Sequence, residues 1–202
     1  MNIEDIRKAL QNQELPVTHV VMIPLIEKEN TLYVLFEVRN KSISQGGDIG
    51  LPGGRIEAGE DPETALIREV REELLLQEDQ IEILNSLPDT FTTRGRFVRA
   101  YVGVIHDYRD TYNNEETEKI LLIKLEDLLN IIPEEHQVPM SLEFPDTFPF
   151  SLIYQGKNYP FRKRSEMFYF YTHDGYTIWG VTGRILHSFL RICGMNTEVS
   201  DT

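Results

Sequence analysis

The sequence predicts an α/β fold, and three observations carry that prediction. Runs with strand character recur, VTHVVMIPLI at 17–26, TLYVLFEVR at 31–39 and FVRAYVGVI at 97–105, each rich in β-branched or aromatic residues. Between them, apolar residues from Asp61 to Leu76 recur at helical spacing, and a second helical run, WGVTGRILHSFLRIC, spans 179–193. The 202 residues are 41% hydrophobic and 10% aromatic, enough to fill one core, so a single domain over residues 1–202 is expected.

Taken in order, residues 3–11 (IEDIRKALQ) read as a short amphipathic helix closed before Pro16. The first two strands flank the polar EKEN, a hairpin connection. A Gly-rich stretch, QGGDIGLPGG at 45–54, reads as a loop that holds backbone close to something. Asp61-Pro62 supplies an N-cap with proline at the first helical position, and the helix runs to about residue 76. Strands are expected at 80–87, 97–105 and 119–125, with a short helix after the last. Residues 133–165 hold five of the ten prolines, which predicts an irregular flap. A strand at 167–173 and the C-terminal helix at 179–193 precede a polar tail.

The charge balance narrows the partners. Twenty basic residues against 33 acidic ones leave a net charge of −13, which argues against a surface that grips nucleic acid through many phosphate contacts. A small anionic ligand would need a local basic patch or a bound cation. No run approaches the ~20 apolar residues of a membrane span, so no membrane partner is expected. Cys193 is the single cysteine, which suits a reducing compartment; a cytoplasmic location is expected. The sequence leaves the oligomeric state open, a homodimer included.

In the central helix Glu69, Glu72 and Glu73 stand at i, i+3 and i+4 and share one face. Leu66, Ile67, Val70 and Leu74 form an adjacent stripe that would bury the helix against a sheet. Like charges so spaced repel, and a divalent cation would remove the repulsion. Oxygen-only ligands favour Mg²⁺ or Mn²⁺ over zinc. A bare E-x-x-E-E is more often a solvated face. Its surroundings reverse that weighting: Gly54 is followed by five residues, Glu60, seven residues and then Arg68-Glu69-Val70-Arg71-Glu72-Glu73. This resembles the Nudix box, G-x5-E-x7-R-E-U-x-E-E-x-G-U, with Leu76 as the last aliphatic position. Such a coincidence has a chance on the order of 10⁻⁸ per starting point. One departure is Leu75, where the family has glycine; it predicts a helix that continues or caps differently.

The resemblance implies a Nudix α/β/α sandwich with a mixed sheet, the box at 54–76 forming a loop-helix-loop. It implies Glu69 and Glu73 as main metal ligands, and Glu72 as a further ligand or the proton acceptor from the attacking water. Arg68 would orient a carboxylate with Glu60 as its partner, while Gly53 and Gly54 would let backbone approach metal and phosphates. The implied cofactor is Mg²⁺ or Mn²⁺ and the implied substrate a small nucleoside diphosphate derivative. Upstream, LFEVRNKSISQGGDIGLPGG at 35–54 is similar to the motif L-L-T-x-R-S-x-x-R-x-x-x-G-x-x-x-F-P-G-G of the coenzyme A diphosphatase branch. Leu35, Arg39, Gly47, Pro52, Gly53 and Gly54 match it, whereas Asn40, Ile43 and Leu51 replace serine, arginine and phenylalanine. IWGVTGRIL at 178–186 is similar to the I-W-G-x-T-x-R-I-L segment of that branch. Coenzyme A, cleaved to 4′-phosphopantetheine and adenosine 3′,5′-bisphosphate, is therefore the expected substrate. ADP-ribose or another nucleoside diphosphate derivative is the alternative, and a catalytically silent ligand-binding module a third reading. Arg39 is the residue expected at substrate phosphate, since its planar fork suits bidentate contacts. The basic run Arg162-Lys163-Arg164 is a candidate for the 3′-phosphate, and Trp179 is expected in the core.

Overall fold

The computed structural model describes residues 2–10, 17–92 and 95–194. In chain order the elements are α1 (Ile3–Leu10), β1 (His19–Lys28), β2 (Thr31–Arg39), β3 (Ile49–Gly50) and α2 (Pro62–Leu74). There follow β4 (Ile81–Ser86), β5 (Thr90–Phe91), β6 (Phe97–Ile105), β7 (Thr117–Lys124), α3 (Leu125–Asn130), β8 (Glu134–Met140), β9 (Arg164–His173), β10 (Tyr176–Ile178) and α4 (Gly180–Ile192). The expected closure before Pro16 and the polar tail lie outside the described residues.

The main sheet is mixed, in the order β3-β2-β1-β6-β4, with β7 on β2 and β5 on β6. Only β1 and β6 run parallel, from His19 opposite Val98 to Leu25 opposite Val104. Alternation along β1 sends Val20, Met22 and Ile26 to one face and Ile23 and Leu25 to the other, and all five are buried. A strand covered on both faces has to be apolar throughout, hence the run VVMIPLI. Ala65, Leu66, Val70 and Leu74 of α2 pack on the first face, and Leu128 of α3 with Ile185, Leu186, Phe189 and Leu190 of α4 pack on the second. The layers are therefore α/β/α. Of the expected α2 stripe, Leu66, Val70 and Leu74 are buried, Ile67 is only partly so, and Ala65 is buried beside them. Among the described residues no helix is long and apolar enough to cross a membrane.

Three expectations change. The β1–β2 connection tightens to Glu29-Asn30, both with positive φ, the two-residue turn whose twist matches its strands. Residues 134–140 are not irregular: β8 pairs with β9 from Glu134 opposite Phe170 to Met140 opposite Arg164. β8 is the edge of the three-stranded sheet β10-β9-β8, where Pro139 is tolerated, so proline content misled there. Finally, α2 stops at Leu74 with Leu75 itself in the left-handed region, φ 55° and ψ 47°. The family's glycine geometry is kept without the glycine, stabilised by Thr111 Oγ1 donating to the Leu74 carbonyl (2.7 Å) and the Asn113 amide donating to the Glu73 carbonyl (2.7 Å).

Candidate active site

The loop 52–56 lies along the start of β1, fixed by the Met22 amide donating to the Pro52 carbonyl (2.8 Å), the Val20 amide to Gly54 (2.9 Å) and the Ile56 amide to Thr18 (3.1 Å). Only glycines pass there. Gly53 has φ +141°, and a Cβ on it would stand 2.2 Å from the Val20 carbonyl oxygen; a Cβ on Gly54 would stand 2.4 Å from the Glu69 carboxylate. The loop thus brings bare backbone onto the acidic edge of α2. Asp61 caps that helix by accepting from the amides of Glu63 and Thr64, both at 3.1 Å.

Arg68 organises the exposed side of this edge. Its Nε and one terminal nitrogen each donate to a Glu60 oxygen at 3.0 Å, and the same terminal nitrogen donates to the Arg55 carbonyl (3.2 Å). The other terminal nitrogen lies 2.9 Å from Glu69 and 3.6 Å from Glu72. The Glu60 carboxyl is held below its ordinary range, first by the Arg68 hydrogen bonds. Glu72 is 62% exposed at its side chain, so of the three box glutamates it is the one open to solvent.

Glu73 is only 6% exposed and accepts from the Gly53 amide at 2.7 Å. Burial pushes its carboxyl well above the usual range, the neighbouring Glu37 adds to this, and the Gly53 amide opposes it. Burial also raises Glu69, against the pull of Arg68. Glu37, on β2, is 5% exposed and its carboxyl is pushed up by burial and then by Glu116, with Arg39 and the Thr117 hydroxyl acting the other way. Sequence reading passed over Glu37. The available signal was an acid in the apolar strand TLYVLFEVR, in phase with Leu35, which faces α2.

A divalent cation fits this edge. Its donors are carboxylate oxygens alone, the chemistry of Mg²⁺ or Mn²⁺, and two of the acids, Glu37 and Glu73, are buried beside each other with no ion pair to either among the described residues. The side chains have not closed on one point: Arg68 holds Glu69 and Glu73 turns to Gly53, so among the described residues no three acidic, His or Cys side chains stand at metal-binding reach.

Beyond Gly53 and Gly54 opens a cavity of about 390 Å³. Its wall combines Arg39 with His19, Arg96 and Arg184, four basic side chains against Asp48 and Glu166. Arg39 donates from Nε to the Ser44 carbonyl (3.3 Å). Arg184 pairs with Glu166 through one terminal nitrogen, while its buried Nε has no partner. Trp179 is corrected from the core to this wall: it is 42% exposed and its ring lies parallel to Phe170, 5.9 Å between centres. Arg162, Lys163 and Arg164 are exposed and outside the lining. Arg184 stands at the arginine of the I-W-G-x-T-x-R-I-L segment, whereas His19 and Arg96 carried no sequence signal of their own, because their juxtaposition needs β1 and the start of β6 to meet.

A model of the NUDIX domain family matches residues 16–142. The chain belongs to the Nudix family. Nudix hydrolase 3 of Caenorhabditis elegans is 25% identical over 189 residues, 89% of this chain and 73% of that protein. The uncharacterized Nudix hydrolase NudL of Photorhabdus laumondii is 23% identical over 169 residues, 83% of this chain and 80% of that one. Among solved structures, a C. elegans Ap4A hydrolase in a binary complex is 19% identical, covering 55% of this chain and 83% of its own, with a TM-score of 0.49. As a Nudix hydrolase the protein acts on phosphorus anhydrides of nucleoside diphosphate derivatives, which sets aside the reading as a silent binding module. Nudix hydrolases generally use divalent ions such as Mg²⁺ or Mn²⁺.

Proposed function

We propose that this Nudix hydrolase cleaves the diphosphate linkage of coenzyme A or a close derivative to 4′-phosphopantetheine and adenosine 3′,5′-bisphosphate. One observation carries the reading. The two segments similar to the coenzyme A diphosphatase branch, residues 35–54 and 178–186, line one cavity: Arg39 from the upstream motif, and Trp179, Gly180, Thr182 and Arg184 from IWGVTGRIL. That cavity abuts Gly53 and Gly54, so groups that distinguish substrates sit against the groups that cleave them.

Glu69 and Glu73, with Glu72, would hold the Mg²⁺ or Mn²⁺, whose chemistry there would be to neutralise charge on phosphate oxygens and to acidify water. Arg68, locked by Glu60, orients Glu69 and Glu72. Glu72, being solvent-facing, takes the proton of the attacking water. Gly53 and Gly54 admit the diphosphate without a Cβ in its way. Arg39, Arg96 and Arg184 face the phosphates, and the half-exposed Trp179 offers a flat apolar face to the rest of the substrate. The test is hydrolysis of coenzyme A, dephospho-coenzyme A, ADP-ribose and a dinucleoside polyphosphate side by side with Mg²⁺ and with Mn²⁺. Coenzyme A should give the highest kcat/KM, and faster cleavage of ADP-ribose or the dinucleoside compound would move the protein to that substrate class.

A further inference from the structure

Glu37 sits in a strand that should have no acid. Position 37 is on the face of β2 that looks toward α2, in phase with buried Leu35, and is opposite Gly50 of β3 and Ile120 of β7. Its Oε1 is buried and has no hydrogen-bond partner. Buried polar atoms are almost always paired, and a buried carboxylate oxygen without a donor costs far more than a hydrocarbon in its place. Among the described residues no basic side chain stands within ion-pairing distance of it, Arg39 acting only from farther off. Instead Glu73, Glu69 and Glu116 raise the negative density of the same corner. Such an arrangement is unfavourable for an empty apolar interior and favourable around a cation.

We infer that Glu37 is a further carboxylate of the cation centre, supplying its free Oε1 from β2 to the ion held by Glu73 on α2. The site is then built from two elements, a helix that brings three box glutamates and a strand that brings a fourth acid from the opposite, buried side. The consequence is specific: Glu37 would hold the cation from the buried side of this edge, with the Gly53-Gly54 backbone left for substrate. The inference rests on the cation-dependent reading of this site.

The experiment is Mn²⁺ binding to substrate-free protein, by titration calorimetry and by electron paramagnetic resonance of free Mn²⁺, for the wild type, Glu37→Gln, Glu37→Thr and Glu73→Gln. Glu37→Gln keeps shape and removes charge; Glu37→Thr, the residue of the upstream motif, covers the case in which the glutamine variant does not fold. Supporting residues of metal sites typically change affinity roughly 10- to 100-fold when replaced. We expect Glu37→Gln to weaken Mn²⁺ by that factor or to remove one bound ion, and Glu37→Thr to do the same. Wild-type affinity and stoichiometry in a Glu37 variant, with Glu73→Gln impaired, would overturn this inference and leave the cation site standing. Wild-type binding in all three variants would overturn both.

Discussion

The two regions that meet at Gly53-Gly54 are built from opposite chemistry. Where α2 meets the sheet, the helix presents Glu69 and Glu73 and β2 presents Glu37, three buried or half-buried acids of which Glu69 alone has an ion pair, with Arg68, among the described residues. Across the loop, the cavity wall presents His19, Arg39, Arg96 and Arg184. Net charge, −13 for the chain, conceals this division. On the proposed function, the first region meets an anionic substrate only through cations, and the second supplies phosphate contacts but no group that cleaves. The family match at 16–142 contains all of the first region and His19, Arg39 and Arg96 of the second, but stops short of Trp179 and Arg184.

Breaking the acidic side should have the largest effect. Glu73→Gln should fold, because the amide oxygen still accepts from the Gly53 amide, yet lose roughly 10²-fold or more of turnover as charge that holds the cation is removed. Metal-free Glu73→Gln should melt no lower than the wild type, since it removes a buried, repelled carboxyl. Near-normal turnover, measured at saturating substrate, would remove Glu73 from the site. Gly54→Ala acts at the boundary: its Cβ would collide with the Glu69 carboxylate, and displacement of a positioned group by about 1 Å can cost up to ~10²-fold. Its kcat should fall while KM for substrate changes little.

How much of this was legible depended on how local the signal was. The four helices and the strands β1, β2, β4, β6, β7 and β9 were readable from local pattern, whereas β3, β5, β8 and β10 were not. The mutual placement of Glu60, Arg68, Glu69, Glu72 and Glu73 was readable because spacing along one helix and its loop fixes it. Leu75 shows the limit of that reading. Its β-carbon predicts avoidance of the left-handed region, but Thr111 and Asn113, thirty-odd residues downstream, cap the last carbonyls and hold it there. Trp179 and β8 were misread for the same reason: an exposed tryptophan and an edge-strand proline are defined by neighbours far away in sequence. The cavity's four basic side chains come from β1, β2, the residue before β6 and α4, a relation only the fold creates.

Leu75 also offers a smaller effect on stability alone. A non-glycine residue in this conformation costs about 1–2 kcal/mol, so Leu75→Gly should raise the melting temperature by a few degrees, less what glycine's freedom in the unfolded chain takes back. Calorimetry checks it, and an unchanged or lower melting point would mean that Leu75 contributes packing at its exposed position. The smallest effect lies far from both regions. His187 is buried against Tyr169, its Nδ1 is 2.8 Å from the Tyr171 hydroxyl, and burial lowers its pKa below the ordinary histidine value. A histidine held neutral contributes stability that is present above its unfolded pKa of about 6.5 and is lost as pH falls through it. Denaturant titrations should show a shallower loss between pH 7 and pH 5 in His187→Gln than in the wild type, and parallel slopes would assign the loss to other groups.

The division of labour itself is tested most directly by kcat/KM for coenzyme A and ADP-ribose in the wild type, Arg39→Ala and Arg184→Ala. Removing a charge-assisted phosphate contact is worth roughly 1.5–3 kcal/mol, about 10- to 150-fold in kcat/KM. The wild type should prefer coenzyme A, and each variant should lose most of that preference through KM while retaining metal-dependent turnover of ADP-ribose. Equal losses on both substrates, or a preference for coenzyme A untouched by either substitution, would contradict the assignment of selectivity to this wall.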